Sequence, residues 1–589
     1  MGKLSSSFIM FRIGAMVVFN KLIMFLTSII PRKKMTVVLE QGTLQGLHYK
    51  TRLSNKSYVS FLGIPYALPP INDLRFKPPV KHPGWTGVYK AFSCGKVCMQ
   101  YDVFMTKKLV GSEDCLYLNI FVPQVEEMVE KKAVMVFIHG GAFNYGSGSL
   151  DFYSPDYLLD ENVIVVTINY RLNVLGFLNF GIDECPGNMG LKDQLFAFKW
   201  IKANIAAFGG DTNNITIFGE SAGSASVHCH LLSPLSTGSF DKAIMQSGCI
   251  FNPWAFNEKH IEVAFKLAEK LGCQKDDPKE IVKYLLNIPA IDLVKCTTLK
   301  FKIEGQRDLL NFQFVPTIES EAVSDRLLPA HPDILIKSAS PVPLISGVNN
   351  MEGMIVFGEH RLGKLFDYYK VEEISKLFES HYSEEVIQRV KNFYFNEHEQ
   401  SSDIIKLENT CRIPCDICLY YKLMELLKHF FQLFSDVFFT KDFYRGFNDL
   451  LKKDKTPIYN YEFKFDGELN ACKKLLFATR PIFHSLKGAC HADELNYLFY
   501  GQLFGFLPKV NTPEYRMCKT MSKLWCNFAK TGNPNSSNLN VVWNNSNVDD
   551  PKYLSIDGDE TCMVDGLINT PSVQFWENIF EIMRLKQKL

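Results

Sequence analysis

Net charge is what this chain has least of. Its 64 lysines and arginines face 63 aspartates and glutamates, leaving +1 over 589 residues. A chain so balanced has no field to draw a polyanion, and no stretch gathers basic residues on one face, which excludes nucleic acid as a partner. There is no internal repeat and no low-complexity tract, so the length is not that of a repeat array. Paired cysteine spacing is also missing: the 16 cysteines are scattered singly, unlike a small disulfide scaffold. One cluster, Cys411-x-x-x-Cys415-x-x-Cys418, has iron–sulfur spacing. At i, i+4, i+7 it also falls on one face of an apolar helical run (Leu407–Leu427) with no glycine loop to present thiolates, and core packing is the expectation. What is present is ordinary for a folded domain with a large core, 47% hydrophobic and 22% charged residues.

The first 34 residues differ from the rest. Phe8–Ile30 is mostly apolar but is broken by Arg12, Asn20 and Lys21 and closed by Pro31-Arg32-Lys33-Lys34. In a spanning helix each central Arg or Lys costs about 2.5–3.5 kcal/mol. As a signal peptide the segment lacks a clear small-x-small cleavage site. Met1-Gly2-Lys3-Leu4-Ser5-Ser6 fits the loose myristoylation pattern. Residues 1–36 are expected to be a leader that associates with a membrane inside the cell, with secretion as the alternative, and 37–585 to be one domain.

Apolar, β-branched runs alternate with helix-like segments beyond that point. Ala133–His139, Val163–Tyr170, Ile215–Phe218, Ala243–Ser247 and Val342–Ser346 read as buried strands, and Met189–Ala207 has helical periodicity. This is the pattern of a large, mostly parallel central sheet flanked by helices, with residues 256–450 as helical insertions. One of these strands runs into Phe218-Gly219-Glu220-Ser221-Ala222-Gly223-Ser224 and then into a helical stretch, Ala222–Leu232. Strand, Gly-x-Ser-x-Gly and helix form a turn that projects a serine hydroxyl from a sheet and aims the next amide at a developing oxyanion. His139-Gly140-Gly141-Ala142-Phe143 follows the strand Ala133–Ile138, and small residues there let successive N–H groups converge. For a base, His491 sits in the loop Gly488–Glu494, with His484 the runner-up; His228 and His230 read as packing or solvent-facing, His139 as structural. For an acid, Glu352 lies just past a strand, in Ser346-Gly347-Val348-Asn349-Asn350-Met351-Glu352-Gly353. The chain order Ser, Glu, His is that of an α/β-hydrolase.

Long motifs carry a resemblance. Phe208-Gly209-Gly210-Asp211 continues through Ile215–Gly223; Glu113-Asp114-Cys115-Leu116-Tyr117-Leu118-Asn119-Ile120-Phe121-Val122-Pro123 forms a second block; Phe61–Ala67 and Asn169-Tyr170-Arg171-Leu172 agree. From Val37 to Phe580 the chain resembles the type-B carboxylesterase/cholinesterase family of α/β-hydrolases, and most of all the insect-type α-esterases. The resemblance implies Ser221, Glu352 and His491 as catalytic triad, the Gly141, Ala142 and Ala222 amides as oxyanion hole, Trp254 in the acyl pocket, and a Cys98–Cys115 disulfide. It implies no metal and no cofactor, and a small hydrophobic ester, whether lipid, semiochemical or xenobiotic, as substrate. Four departures matter. Ala142 replaces a glycine; Met99–Ser112 lacks the tryptophan that cholinesterases set against quaternary ammonium; Glu220 stands where juvenile hormone esterases carry Gln; and Cys273 has no cysteine in Lys279–Leu286 to pair with. Asn55, Asn535 and Asn544 open candidate glycosylation tripeptides.

Overall fold

The computed structural model describes residues 18–22, 31–103, 106–124, 130–297, 303, 309–339, 342–357, 374–378, 382–395, 417–453, 456–478, 486–537 and 541–587. Cys411, Cys415 and the runner-up His484 lie outside them, as does the side chain of Cys418.

Thirteen strands make one sheet. They are β1 (Lys34–Leu39), β2 (Gly42–Lys50), β3 (Ser57–Pro65), β4 (Val88–Lys90), β5 (Tyr117–Pro123), β6 (Lys132–Ile138), β7 (Ile164–Ile168), β8 (Gly210–Glu220), β9 (Lys242–Gln246), β10 (Leu344–Asn349), β11 (Ile458–Phe463), β12 (Lys552–Ile556) and β13 (Cys562–Asp565). Their spatial order is β1-β2-β3-β5-β7-β6-β8-β9-β10-β11-β12-β13, with β4 beside β2. Pairing is parallel from β7 through β12. It is antiparallel among β1, β2, β3, β5 and β7, and again between β12 and β13. The parallel interior follows from strands that are apolar on both faces. In β6, Val134, Val136 and Ile138 belong to one core, while Met135 and Phe137 belong to the other. In β8, Ile215 and Ile217 face the first core and Phe218 the second. Helices must therefore cover both sides.

The expected strands are found with ends moved by a few residues, the largest change being β8. It starts at Gly210, five residues before the apolar run, with an irregular register between Gly210 and Ile215. The covering helices used below are α1 (Met189–Asn204), α2 (Ala222–Leu232), α3 (Ile417–Ser435), α4 (Lys441–Leu451), α5 (Ala471–Phe477) and α6 (Pro513–Thr531). A π-helical turn, Asp436–Thr440, joins α3 to α4. Such turns leave carbonyls without their usual partners one turn on; here the Phe438 and Phe439 carbonyls accept from Trp254 Nε1 (2.8 Å) and Asn252 Nδ2 (2.9 Å). Among the described residues, no helix is long and apolar enough to cross a membrane.

Candidate active site

Parallel neighbours end on the same side of a sheet, and the register here makes them end together. Gly219 lies opposite Ile138, Glu220 opposite Gln246, and Gln246 opposite Gly347. The turns after β6, β8, β9 and β10 thus converge at the carboxyl ends of the strands, where open α/β sheets place their sites. Ser221 links β8 to α2 with φ 58° and ψ −122°, a backbone state that costs a non-glycine residue about 1–3 kcal/mol. Its amide donates to Gln246 O at 2.9 Å. A side chain on Gly223 would collide with the carbonyl of Ile138, so the helix approaches β6 only with glycine there. Ala222 is the first residue of α2, and its N–H has no carbonyl one turn earlier to bind.

The turn after β6 is also held in left-handed geometry, with Gly141, Ala142 and Phe143 at φ 107°, 53° and 59°. His139 anchors it. The imidazole is buried, stacks on Tyr170 at 4.5 Å, and keeps Nδ1 2.8 Å from Gly140 O. Burial pushes its pKa down to about 4, so it is neutral and Nδ1–H donates. Asn173 N donates to Phe143 O at 2.7 Å, and Gly146 N to Gln100 Oε1 at 2.7 Å. The expectation that His139 is structural matches this placement. Cys98 and Cys115 are disulfide-bonded, and the bridge flanks the same region, since Gln100 Nε2 donates to Cys98 O. Cys273 is an unbridged buried thiol.

Glu352 and His491 meet across the mouth of β10. Glu352 is fully buried; Oε1 accepts from Asn349 N at 2.7 Å and Oε2 lies 2.5 Å from His491 Nδ1. On its other side His491 Nε2 lies 3.0 Å from Glu220 Oε1. The Phe439 ring covers the imidazole at 4.6 Å. Burial alone would keep this imidazole neutral, but the carboxylates of Glu220 and Glu352 outweigh it and push its pKa up to about 10. Glu220 is itself pushed up to about 8, by burial first, against the pull of His491. Each charge favours the other, so the two titrations are coupled.

A second tier was not singled out from the sequence. Glu494, buried and pushed up to about 7 by burial and then by Glu352, accepts from Asn349 Nδ2 (2.6 Å) and Gln246 Nε2 (3.0 Å). Asn349 Nδ2 also donates to Cys490 O at 2.7 Å, and Trp525 Nε1 of α6 donates to Gln246 Oε1 at 3.1 Å. This tier fixes the loop carrying His491 to the ends of β9 and β10. Its only local signal was two further polar residues inside turns already marked by Glu352 and His491. Of the other histidines, His228 and His230 are both fully buried in α2, and burial pushes each down to about 3. His230 bonds Ser236 Oγ and Gln194 Oε1; neither ring joins the site.

Ser221, Glu220, Gly141, Ala142, Trp254, Phe439 and His491 all line one cavity of about 370 Å³. Ile355, Leu310, Phe312, Phe152, Leu503 and Phe504 extend its walls, making it mostly apolar. No group of described residues has the make-up of a metal site.

Comparison with known proteins gives the family. The sequence profile described as the carboxylesterase family matches residues 33–576. Juvenile hormone esterase of Tribolium castaneum is 35% identical over 511 residues, covering 85% of this chain and 84% of that protein. Esterase FE4 of Myzus persicae is 34% identical, covering 86% of each. Bile salt-activated lipase of Homo sapiens is 34% identical over 88% of this chain and 66% of its own length. Among solved structures, juvenile hormone esterase from Manduca sexta, with OTFP covalently attached, superposes with a TM-score of 0.75 at 27% identity, covering 93% of this chain and all of that one. Juvenile hormone esterases are thus among its relatives despite Glu220. A sheet built this way, a cavity at its carboxyl end and a profile match over nearly the whole length have one reading: the chain belongs to the carboxylesterase family of α/β-hydrolases and is a carboxylic ester hydrolase.

Proposed function

We propose that Ser221 is the nucleophile of this ester hydrolase, His491 its general base and acid, and Glu352 the group that orients and charges-balances His491, with the Gly141, Ala142 and Ala222 amides receiving the oxyanion. The observation that carries this reading is the serine held at φ 58° in the same cavity as an imidazole whose far nitrogen is bound by a buried carboxylate at 2.5 Å. The hydroxyl attacks the ester carbonyl while His491 Nε2 takes its proton. Glu352 keeps Nδ1 protonated and stabilises the cation, and the alcohol leaves with the proton returned from Nε2. Water then cleaves the acyl-enzyme by the same route. Trp254, pinned by the Phe438 carbonyl, and Phe439 bound the space beside Ser221 that the acyl group would fill. The apolar walls suit a hydrophobic ester of lipid, semiochemical or xenobiotic type. A fluorophosphonate should add to one residue, Ser221, in a peptide map; an adduct on any other serine would overturn the assignment.

Glu220 enters the same scheme through charge. Only neutral His491 can accept the serine proton, and two carboxylates beside it favour the cation. The acid limb of kcat/KM against pH is therefore expected above that of a free imidazole. Glu220→Gln removes one negative charge, so the limb should move to lower pH by about 1–3 units. An unmoved limb would show that Glu220 does not sense the imidazole.

The domain reading follows from the site. Glu352 and His491 have to fold around Ser221, which makes 37–585 one unit. Residues 34–36 already belong to β1, so of the expected leader 1–36 only residues 1–33 are left as a segment able to associate with a membrane through the apolar run Phe8–Ile30, intracellularly rather than after secretion.

A further inference from the structure

Two thiols stand beside the histidine arm and take no part in the chemistry above. Cys472, in the first turn of α5, is half-buried and shares the cavity wall with Ala471, Leu475 and His491. Cys490, fully buried, immediately precedes His491, and burial together with the neighbouring Cys472 thiol holds its proton on. Neither belongs to the Cys98–Cys115 bridge. One carboxylate fixes the backbone on both sides of the pair: Asp493 accepts from Lys473 N at 3.1 Å through Oδ1 and from Cys490 N at 2.8 Å through Oδ2. The Lys473 ammonium adds bonds to the carbonyls of Leu486 (2.5 Å) and Gly488 (3.1 Å). A thiol facing an apolar cavity, with a second thiol brought close behind it by that shared carboxylate, is the arrangement of an oxidisable residue and its resolving partner.

We propose that Cys472 and Cys490 form a modification site for apolar hydroperoxides that enter the ester cavity, ending as a Cys472–Cys490 disulfide. The Cys472 thiolate attacks the distal oxygen of the hydroperoxide. The O–O bond breaks, the alkoxide leaves with a proton as an alcohol, and Cys472 becomes a sulfenic acid, oxidised by two electrons. Cys490 sulfur then attacks Cys472 sulfur; the S–O bond breaks and hydroxide leaves as water with the Cys490 proton. Two thiols and one hydroperoxide give one disulfide, one alcohol and one water. Burial and then the contact with Cys472 push the Cys490 thiol well above its ordinary range, so Cys472, open to the cavity, meets the oxidant first. The bond ties the residue before His491 to α5, and ester hydrolysis is lost until a reductant restores both thiols.

The test is a non-reduced tryptic map of the full-length protein after cumene hydroperoxide. A peptide pair joining Cys472 to Cys490, lighter by two hydrogens than its parts and abolished by dithiothreitol, is expected, at a concentration where hydrogen peroxide leaves both thiols free. The cross-link is read by mass and does not depend on which serine hydrolyses esters. In Cys490→Ser, Cys472 should stop at a sulfenic acid trapped by dimedone. Two free thiols after cumene hydroperoxide would overturn the site, as would Cys472 sulfinic acid beside a free Cys490. Equal cross-linking by both oxidants would overturn its preference for apolar ones.

Discussion

Ser221→Ala should lose about 10⁶-fold in kcat on a p-nitrophenyl ester, the scale seen when a hydrolase nucleophile is removed. Alanine has the same backbone demands as serine at φ 58°, so the turn after β8 should persist and the melting temperature should stay near that of the wild type. Substrate should still bind, because the walls from Trp254 to Phe504 are untouched. About 10³–10⁴-fold acceleration over water can survive from the amides and binding alone. The burst of p-nitrophenol is therefore the sharper measurement: it requires an acyl-enzyme and should vanish. Retention of a stoichiometric burst would remove Ser221 from the chemistry.

Glu352→Gln should cost about 10⁴-fold in kcat, through the tautomer of His491 rather than through the fold. Asn349 N needs an acceptor, which the glutamine oxygen can supply from the position of Oε1. The remaining –NH2 then faces Nδ1 where a carboxylate stood. A donor opposite Nδ1 selects the ring form protonated on Nε2, and that hydrogen can be given to Glu220 at 3.0 Å. His491 would then have no free lone pair for the serine proton. Kinetics at saturating ester, with the melting temperature as control, decide the matter. Activity within tenfold of the wild type would mean that Glu352 does not set the tautomer.

Local rules made part of this legible. The sequence places the elbow helix at Ala222–Leu232 and it has those limits, because glycine spacing and a following helical stretch fix both ends. The strands β6, β7 and β8 announced themselves as β-branched apolar runs. The antiparallel edge did not, since β1 and β2 are only partly buried and alternate with polar residues. His491 could be preferred over other histidines only modestly from its loop. Its contact with Glu352 is made across the inserted helices, through a bridge between Met351 and Cys490 that no local pattern encodes. The same is true of Gln246, Glu494 and Trp525, which are ordinary residues until β9, the His491 loop and α6 are packed together. The π-helical turn was equally silent: Asp436–Thr440 lies in the stretch 256–450 expected only to be helical insertions, and nothing local marks the carbonyls taken by Trp254 and Asn252.

The order in which the sheet is threaded has a consequence in time. During synthesis β6, β8 and the elbow are made before the rest of the proposed site. The acid comes with β10, after the first of the helical insertions, and the imidazole comes later still. The residues that lock it in place arrive last, with Trp525 on α6 and then β12. A partly made chain thus carries an alcohol poised in a strained turn and nothing to deprotonate it. On the proposed assignment, the wide dispersal of the three side chains is a timer: no fragment that ends before residue 491 holds all of them.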